Sequence, residues 1–216
     1  MTTESTTPDL YTLTFGRDNP SNTTIYDASG LALYTVATDL SNISKPVTRL
    51  HRGDATLVAE WTWRGTLRSD LLTFPGRPTA PASDWLKKSK MPFTSTATFT
   101  AKGRELKWAN NAPGLALQLF APESKSEPVA RYTRQHADRS ADDPTTVVPS
   151  RLLIKGSVQD VQDEIVVSFL LLERRRREKE SDAVSRASAV AVDSSFGQPV
   201  SAGRSAGSAG YGTLAG

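Results

Sequence analysis

Asp163-Glu164-Ile165-Val166-Val167-Ser168-Phe169-Leu170-Leu171-Leu172-Glu173-Arg174-Arg175-Arg176-Arg177 is the stretch on which the fold turns. From Ile165 to Leu172 only Ser168 is polar, and on a helix the apolar residues would point in every direction. Such a helix needs cover on all sides rather than along one stripe. The flanks fit a helix. Gly156-Ser157-Val158-Gln159-Asp160 offers a Ser N-cap with an acid three residues on. Acids open the segment and arginines close it, the order that complements a helix dipole. The pattern predicts a helix over about 158–179. The β-branched Ile165-Val166-Val167 leaves a buried strand as the alternative. The run is too short to span a bilayer, which takes about 20 residues.

Upstream, the chain reads as strand, turn, strand. Leu10–Phe15 ends at Gly16, and Thr23–Asp27 and Leu31–Thr38 flank a hairpin loop at Ala28-Ser29-Gly30. In Leu57–Arg64 alternation places Leu57, Ala59, Trp61 and Trp63 on one face. Thr66–Phe74 follows as a strand. Pro75–Pro92 is a Pro-rich connector with one helical turn near Asp84–Lys88. Then come Thr94–Ala101, a turn at Lys102-Gly103, and Arg104–Trp108. Leu115, Leu117 and Leu119 share a face, and Val129–Arg134 and Leu152–Lys155 complete the strands. His136–Pro149 reads as a polar loop. Short strands with turn residues between them predict a mainly β domain, an antiparallel barrel or sandwich, over residues 9–180. The absence of a βαβ alternation argues against a parallel sheet.

Residues 1–8 read as a flexible start without the basic and apolar regions of a secretory signal. Of the 36 residues from Ser181 to Gly216, 22 are Ala, Ser or Gly, which predicts a disordered tail. The chain has 216 residues, with 26 basic and 23 acidic ones for a net charge of +3. So small an excess gives no expectation of nucleic-acid binding. There is no Cys, which excludes disulfides, thiolate zinc sites and Cys nucleophiles. A cytoplasmic location is expected, with the nucleus or a membrane periphery as alternatives. The sequons at Asn22 and Asn42 are read as chance matches.

A family resemblance rests on Asn19-Pro20, Asn22–Asp27, Leu33–Val36, Ala59-Glu60-Trp61, Phe99–Trp108, Val129–Tyr132 and Asp163–Phe169 with its Arg-rich end. In that order, over about residues 10–178, they resemble an uncharacterised domain family of fungi, mainly basidiomycetes. That family in turn resembles the tubby C-terminal and phospholipid-scramblase-like fold. The resemblance implies a closed antiparallel barrel with the apolar helix threaded through its centre. It implies no catalytic residues.

The candidate chemistry is sparse. Gly203-Arg204-Ser205-Ala206-Gly207 matches a hydrolase nucleophile pattern, and Gly210–Ala215 imitates a dinucleotide fingerprint. Both lie in the Ala/Ser/Gly-rich tail without the strand and helix those motifs need. His51 and His136 have no neighbouring ligands or nucleophile, and Asp142-Asp143 lacks calcium-loop spacing. No catalytic residue, metal or cofactor is expected, and the chain reads as non-enzymatic.

Basic clusters remain: Arg174, Arg175, Arg176 and Arg177; Lys87, Lys88 and Lys90 beside Trp85; and the scattered Arg131, Arg134 and Arg139. Lys and Arg clusters can hold anionic lipid headgroups. The competing reading of the Arg run is a solvated helix end balanced by Glu173, Glu178 and Glu180. Trp61, Trp63 and Trp108 are expected in the barrel interior or at its rim, and Trp85 at the surface. The leading expectation is a binding module for anionic phospholipid or phosphoinositide surfaces, with Arg174–Arg177, Lys87, Lys88 and Lys90 as its contacts. A protein–protein interaction domain with the tail as a flexible tether is the alternative.

Overall fold

A computed structural model describes residues 10–65, 68–89, 95–112, 114–124, 126–138 and 145–195, with side chains to residue 188. Lys90, Arg139, Asp142-Asp143, residues 1–8 and both tail motifs lie outside the described residues.

The strands are β1 (Leu10–Phe15), β2 (Thr23–Tyr26), β3 (Ala32–Asp39), β4 (Val47–Arg52), β5 (Leu57–Thr62), β6 (Leu71–Thr73) and β7 (Ala80–Pro81). After the turn of helix α1 (Ala82–Trp85) come β8 (Lys87–Lys88), β9 (Ala97–Ala101), β10 (Arg104–Ala109), β11 (Gln118–Phe120) and β12 (Ala130–Thr133). A two-stranded ribbon, β13 (His136–Ala137) with β14 (Val147–Val148), lies inside the predicted polar loop. Then follow β15 (Arg151–Lys155), a 3-10 helix (Gly156–Val161) and α2 (Gln162–Ser195).

Thirteen strands form one antiparallel sheet in the order β7-β6-β5-β4-β3-β2-β1-β15-β12-β11-β10-β9-β8. The order is sequential on both sides of the β1–β15 pair, as tight turns dictate. At Lys102-Gly103 both residues have positive φ (45° and 77°), the twist a two-residue hairpin needs. Gly53 is required for another reason: a Cβ there would lie 2.4 Å from the Ala32 carbonyl oxygen. No ladder joins the edge strands β7 and β8, so the expected closure by strand pairing is corrected. The chain itself joins these edges through Ala82–Leu86. Trp85 packs there between Phe74, just after β6, and Phe99 of β9, with ring centroids 5.1 and 5.2 Å away.

Most strand expectations match. The face in β5 departs by one residue, because Val58 and Ala59 are both buried while Leu57 is not. A bulge explains this: Leu50 opposes Ala59 but His51 opposes Leu57, so Val58 is the extra residue. Leu115 also leaves the expected face and is exposed, since β11 begins only at Gln118.

The decisive stretch is helical. Every residue from Ile165 to Leu172 is at most 2% exposed. Phe169 meets Phe15 of β1 at 5.4 Å, Tyr132 of β12 at 4.5 Å and Trp108 of β10 at 6.3 Å. Three strands of one five-strand run, β1, β12 and β10, thus meet the same helical ring. Ser168, the polar interruption, is fully used: Trp108 Nε1 donates to its Oγ at 2.9 Å, and its hydroxyl donates to the Ile165 carbonyl at 2.9 Å. Burial without a partner would cost such groups about 1–3 kcal/mol each.

Three helix expectations are corrected. Ser157 is not an N-cap but lies inside the 3-10 helix, whose three-residue period buries both Val158 and Val161. The helix as a whole is not apolar, because its apolar part is Ile165–Leu172 within 34 residues. It also runs past the expected end near 179, so residues 181–195 of the expected disordered tail are helical. Ala183, Ala187, Ala189 and Ala191 favour extension of a helix already nucleated upstream. The chain divides into two units, residues 1–179 and 180–216. In the second, Ser188 Oγ donates to the Val184 carbonyl. No helix among the described residues is long and apolar enough to cross a membrane.

Candidate functional site

The buried part of α2 emerges from the sheet at Glu173, and its four arginines fan out there. Consecutive helical residues project about 100° apart, so each meets a different surrounding segment. Arg174 lies over the Trp63 ring, 3.2 Å from its centroid, and pairs with Glu178 at 2.8 Å. Its burial lowers its pKa. Arg175 donates twice to Asp70 Oδ2, at 2.6 and 3.2 Å. Arg176 is buried, pairs with Glu173 at 2.8 Å and donates to the Leu115 carbonyl. Arg177 reaches Glu173 at 2.8 Å, Asp18 at 2.5 Å and the Tyr132 hydroxyl at 3.1 Å.

Glu173 is the hub of this network. It has no exposed surface and also accepts from Arg134 Nε at 3.1 Å. An isolated carboxylate could not be buried so deeply; three guanidinium groups make it tenable. Burial and the charge of Glu173 push the Tyr132 hydroxyl up to about 12. The arginine run therefore fastens the helix to the strand ends around it. Of the four, Arg175 lines a cavity.

That cavity has a volume of about 650 Å³. Its floor is apolar: Ala82, Leu86, Leu171 and Leu172. Its rim holds Arg68, Lys87, Lys88 and Arg175 against one carboxylate, Asp70. Asp70 is buried and already committed, since its Oδ1 accepts the Arg64 backbone N–H at 3.1 Å and its Oδ2 holds Arg175. Arg68, Lys87 and Lys88 form no ion pair among the described residues. Lys88 keeps an exposed surface, yet its ammonium is crowded. Partial burial, with repulsion from Arg175 and Lys179, lowers its pKa to about 8.

The structure thus brings Lys87 and Lys88 together with Arg175 and separates them from Arg174, Arg176 and Arg177. Arg68 went unread in the sequence because it stands alone in its segment; the Pro-rich connector that carries β8 beside it gave no spacing signal. Arg131 is exposed on β12 while Arg134 points to Glu173, so the scattered third cluster does not assemble.

At the other end of the buried helix, two recesses of about 420 and 410 Å³ share Arg52, Lys102, Asp163 and Glu164. Arg52 pairs with Asp163 at 2.5 Å, Lys102 with Asp160 at 3.8 Å, and Arg104 with Asp160. Tyr34 donates to Asp163 at 2.7 Å, and burial together with that bond raises its pKa. Trp85 lines the first of these recesses and is half-buried rather than a free surface ring. His51 and His136 line none of these cavities, and His136 Nδ1 lies 3.0 Å from the Arg134 carbonyl. No group of three His, Asp or Glu residues suited to a metal occurs among the described residues.

Among solved structures, an Arabidopsis thaliana protein is similar over 76% of this chain and 90% of its own, at 14% identity and a TM-score of 0.37. Comparison with curated proteins gives no match. A family model described only as a family of unknown function (DUF6593) matches residues 18–178. That match takes in every strand of the sheet from β2 onward and the whole arginine network, and the chain belongs to this family.

Proposed function

We propose that the protein is a non-enzymatic module that binds anionic phospholipid, with the headgroup in the cavity of about 650 Å³ at the Glu173 end. The observation that carries this reading is the pairing of three cations with no ion pair among the described residues, Arg68, Lys87 and Lys88, with a floor of aliphatic side chains. A phosphodiester needs the first and an adjoining glycerol or acyl segment the second. A nucleic acid would meet no aromatic stacking platform in the cavity lining.

The scaffold belongs to the same proposal. The sheet encloses Ile165–Leu172 in the manner of a tubby-like barrel, its seam covered by α1 and Trp85 in place of a strand ladder. Burial of those residues on every side supports this, as do the two edge strands tied by five residues of chain. The arginine run then anchors the helix, and the lipid contact passes to its neighbours.

Co-sedimentation tests the reading, using phosphatidylcholine vesicles with and without phosphatidylserine or a phosphoinositide. The protein should pellet with the anionic vesicles only. Exchange of Arg68, Lys87 and Lys88 for Gln together should cost about 3 kcal/mol, roughly two orders of magnitude in affinity, at about 1 kcal/mol per cation. Equal binding to neutral vesicles, or unchanged binding by the triple variant, would refute it.

A further inference from the structure

The loop between β3 and β4 carries two aliphatic side chains far into solvent: Leu40 is 63% exposed and Ile43 is 85% exposed. The loop is nevertheless well defined. Asp39 Oδ1 accepts the Ser41 N–H at 2.8 Å, and Asn42 Oδ1 accepts the Ser44 N–H at 3.2 Å and its hydroxyl at 2.7 Å. Lys45 N–H closes on the Asn42 carbonyl at 3.0 Å, so Ile43 and Ser44 form the crest of a turn. Such turns hold with any residue at the crest, and an aliphatic one gains the fold nothing there.

The place of the loop gives it meaning. Tyr34 binds Asp163 at one end of β3, so Asp39 and the loop lie at the opposite, Glu173 end. The loop base is tied to the cavity rim: Trp63 N–H donates to the Pro46 carbonyl at 2.9 Å, and the neighbouring Arg64 N–H donates to Asp70. Exposed aliphatics, the exposed Lys45 and the unanswered cations of the cavity thus share one end.

Resting on the lipid reading, we infer that this end docks on an anionic membrane by inserting Leu40 and Ile43 into the interfacial layer while the cavity takes a headgroup. A lipid surface suits these residues better than a protein partner. Protein interface cores are contiguous and depleted of charge, whereas Leu40 and Ile43 are separated by Ser41 and Asn42, lie between Asp39 and Lys45, and share their end of the molecule with the cations of the cavity. Interfacial anchors combine those features.

Because the chain lacks Cys, single-site labelling is direct. Ile43→Cys and, at the opposite end, Leu31→Cys (63% exposed in the wild type) would each carry an NBD probe. On vesicles of equal parts phosphatidylcholine and phosphatidylserine, the probe at 43 should brighten, shift to the blue and be quenched by doxyl-labelled lipid. The probe at 31 should do none of these. Ile43→Asp, which touches no core residue, should weaken vesicle binding at least fivefold with an unchanged circular dichroism spectrum. Binding to anionic vesicles with an aqueous probe at 43 overturns the insertion and leaves the headgroup cavity standing. A probe at 43 that shifts with protein concentration and no lipid assigns the loop to self-association and overturns it too. Failure to bind any vesicle overturns both readings.

Discussion

The two ends of the buried helix are built from the same kinds of charged side chain, yet they treat charge differently. At the Asp163 end, Arg52, Lys102 and Arg104 each have a carboxylate and Arg77 lies over the Phe74 ring, and acids at a helix start suit the dipole. At the Glu173 end the conspicuous arginines are answered one by one, by Glu178, Asp70, Glu173 and Asp18. The cations left over, Arg68, Lys87 and Lys88, come from two other segments. A run of like charges on a helix is thus not a field; the field arises where acids run out.

The contrast in burial gives the largest expected effect. Replacing Glu173 with Ala leaves Arg176 buried without its carboxylate and should cost about 3–5 kcal/mol in urea unfolding. Asp160→Asn, at the solvent-exposed pair with Arg104, should leave the urea midpoint within error. Similar losses from both changes would abolish the distinction between the ends.

Midway along the helix, Ser168→Ala should cost about 1–3 kcal/mol, since Trp108 Nε1 would be buried with no acceptor. Trp108→Phe should cost less in the Ser168→Ala background than in the wild type, because no donor is then left without its acceptor. An additive double mutant would show that the hydrogen bond is not the cause.

A smaller effect concerns pH. Lys88 is charged below about pH 8 and neutral above it. Affinity for anionic vesicles should therefore fall as pH rises through 8, by up to about fivefold, the value of one cation near such a surface. Lys88→Gln should remove that step and leave the affinity flat across the same interval. A step that persists in the variant would assign the titration elsewhere.

Much of the fold was legible because local chemistry and tertiary demand agree. Leu10–Phe15 alternates and is β1 to the residue, and the all-round apolar Ile165–Leu172 is a helix buried all round. What escaped depended on partners distant in sequence. The bulge at Val58 exists only through His51 on the facing strand, and the fate of Arg177 is decided by Asp18, 159 residues away. The helix past residue 180 is masked in the composition, where Ala counts with Ser and Gly toward disorder although Ala is the strongest helix former. In the cavity, Lys87 and Lys88 stood out as a cluster, whereas Arg68 and the committed Asp70 carry no local signature.

Hydrogen exchange on anionic vesicles, compared with neutral ones, puts the difference between the ends to the most direct test. Slower exchange confined to residues 40–45, 68–72 and 86–88, with residues 27–31 and 100–104 unchanged, is the predicted result. Protection at the Asp163 end, or equal protection at both, would contradict it.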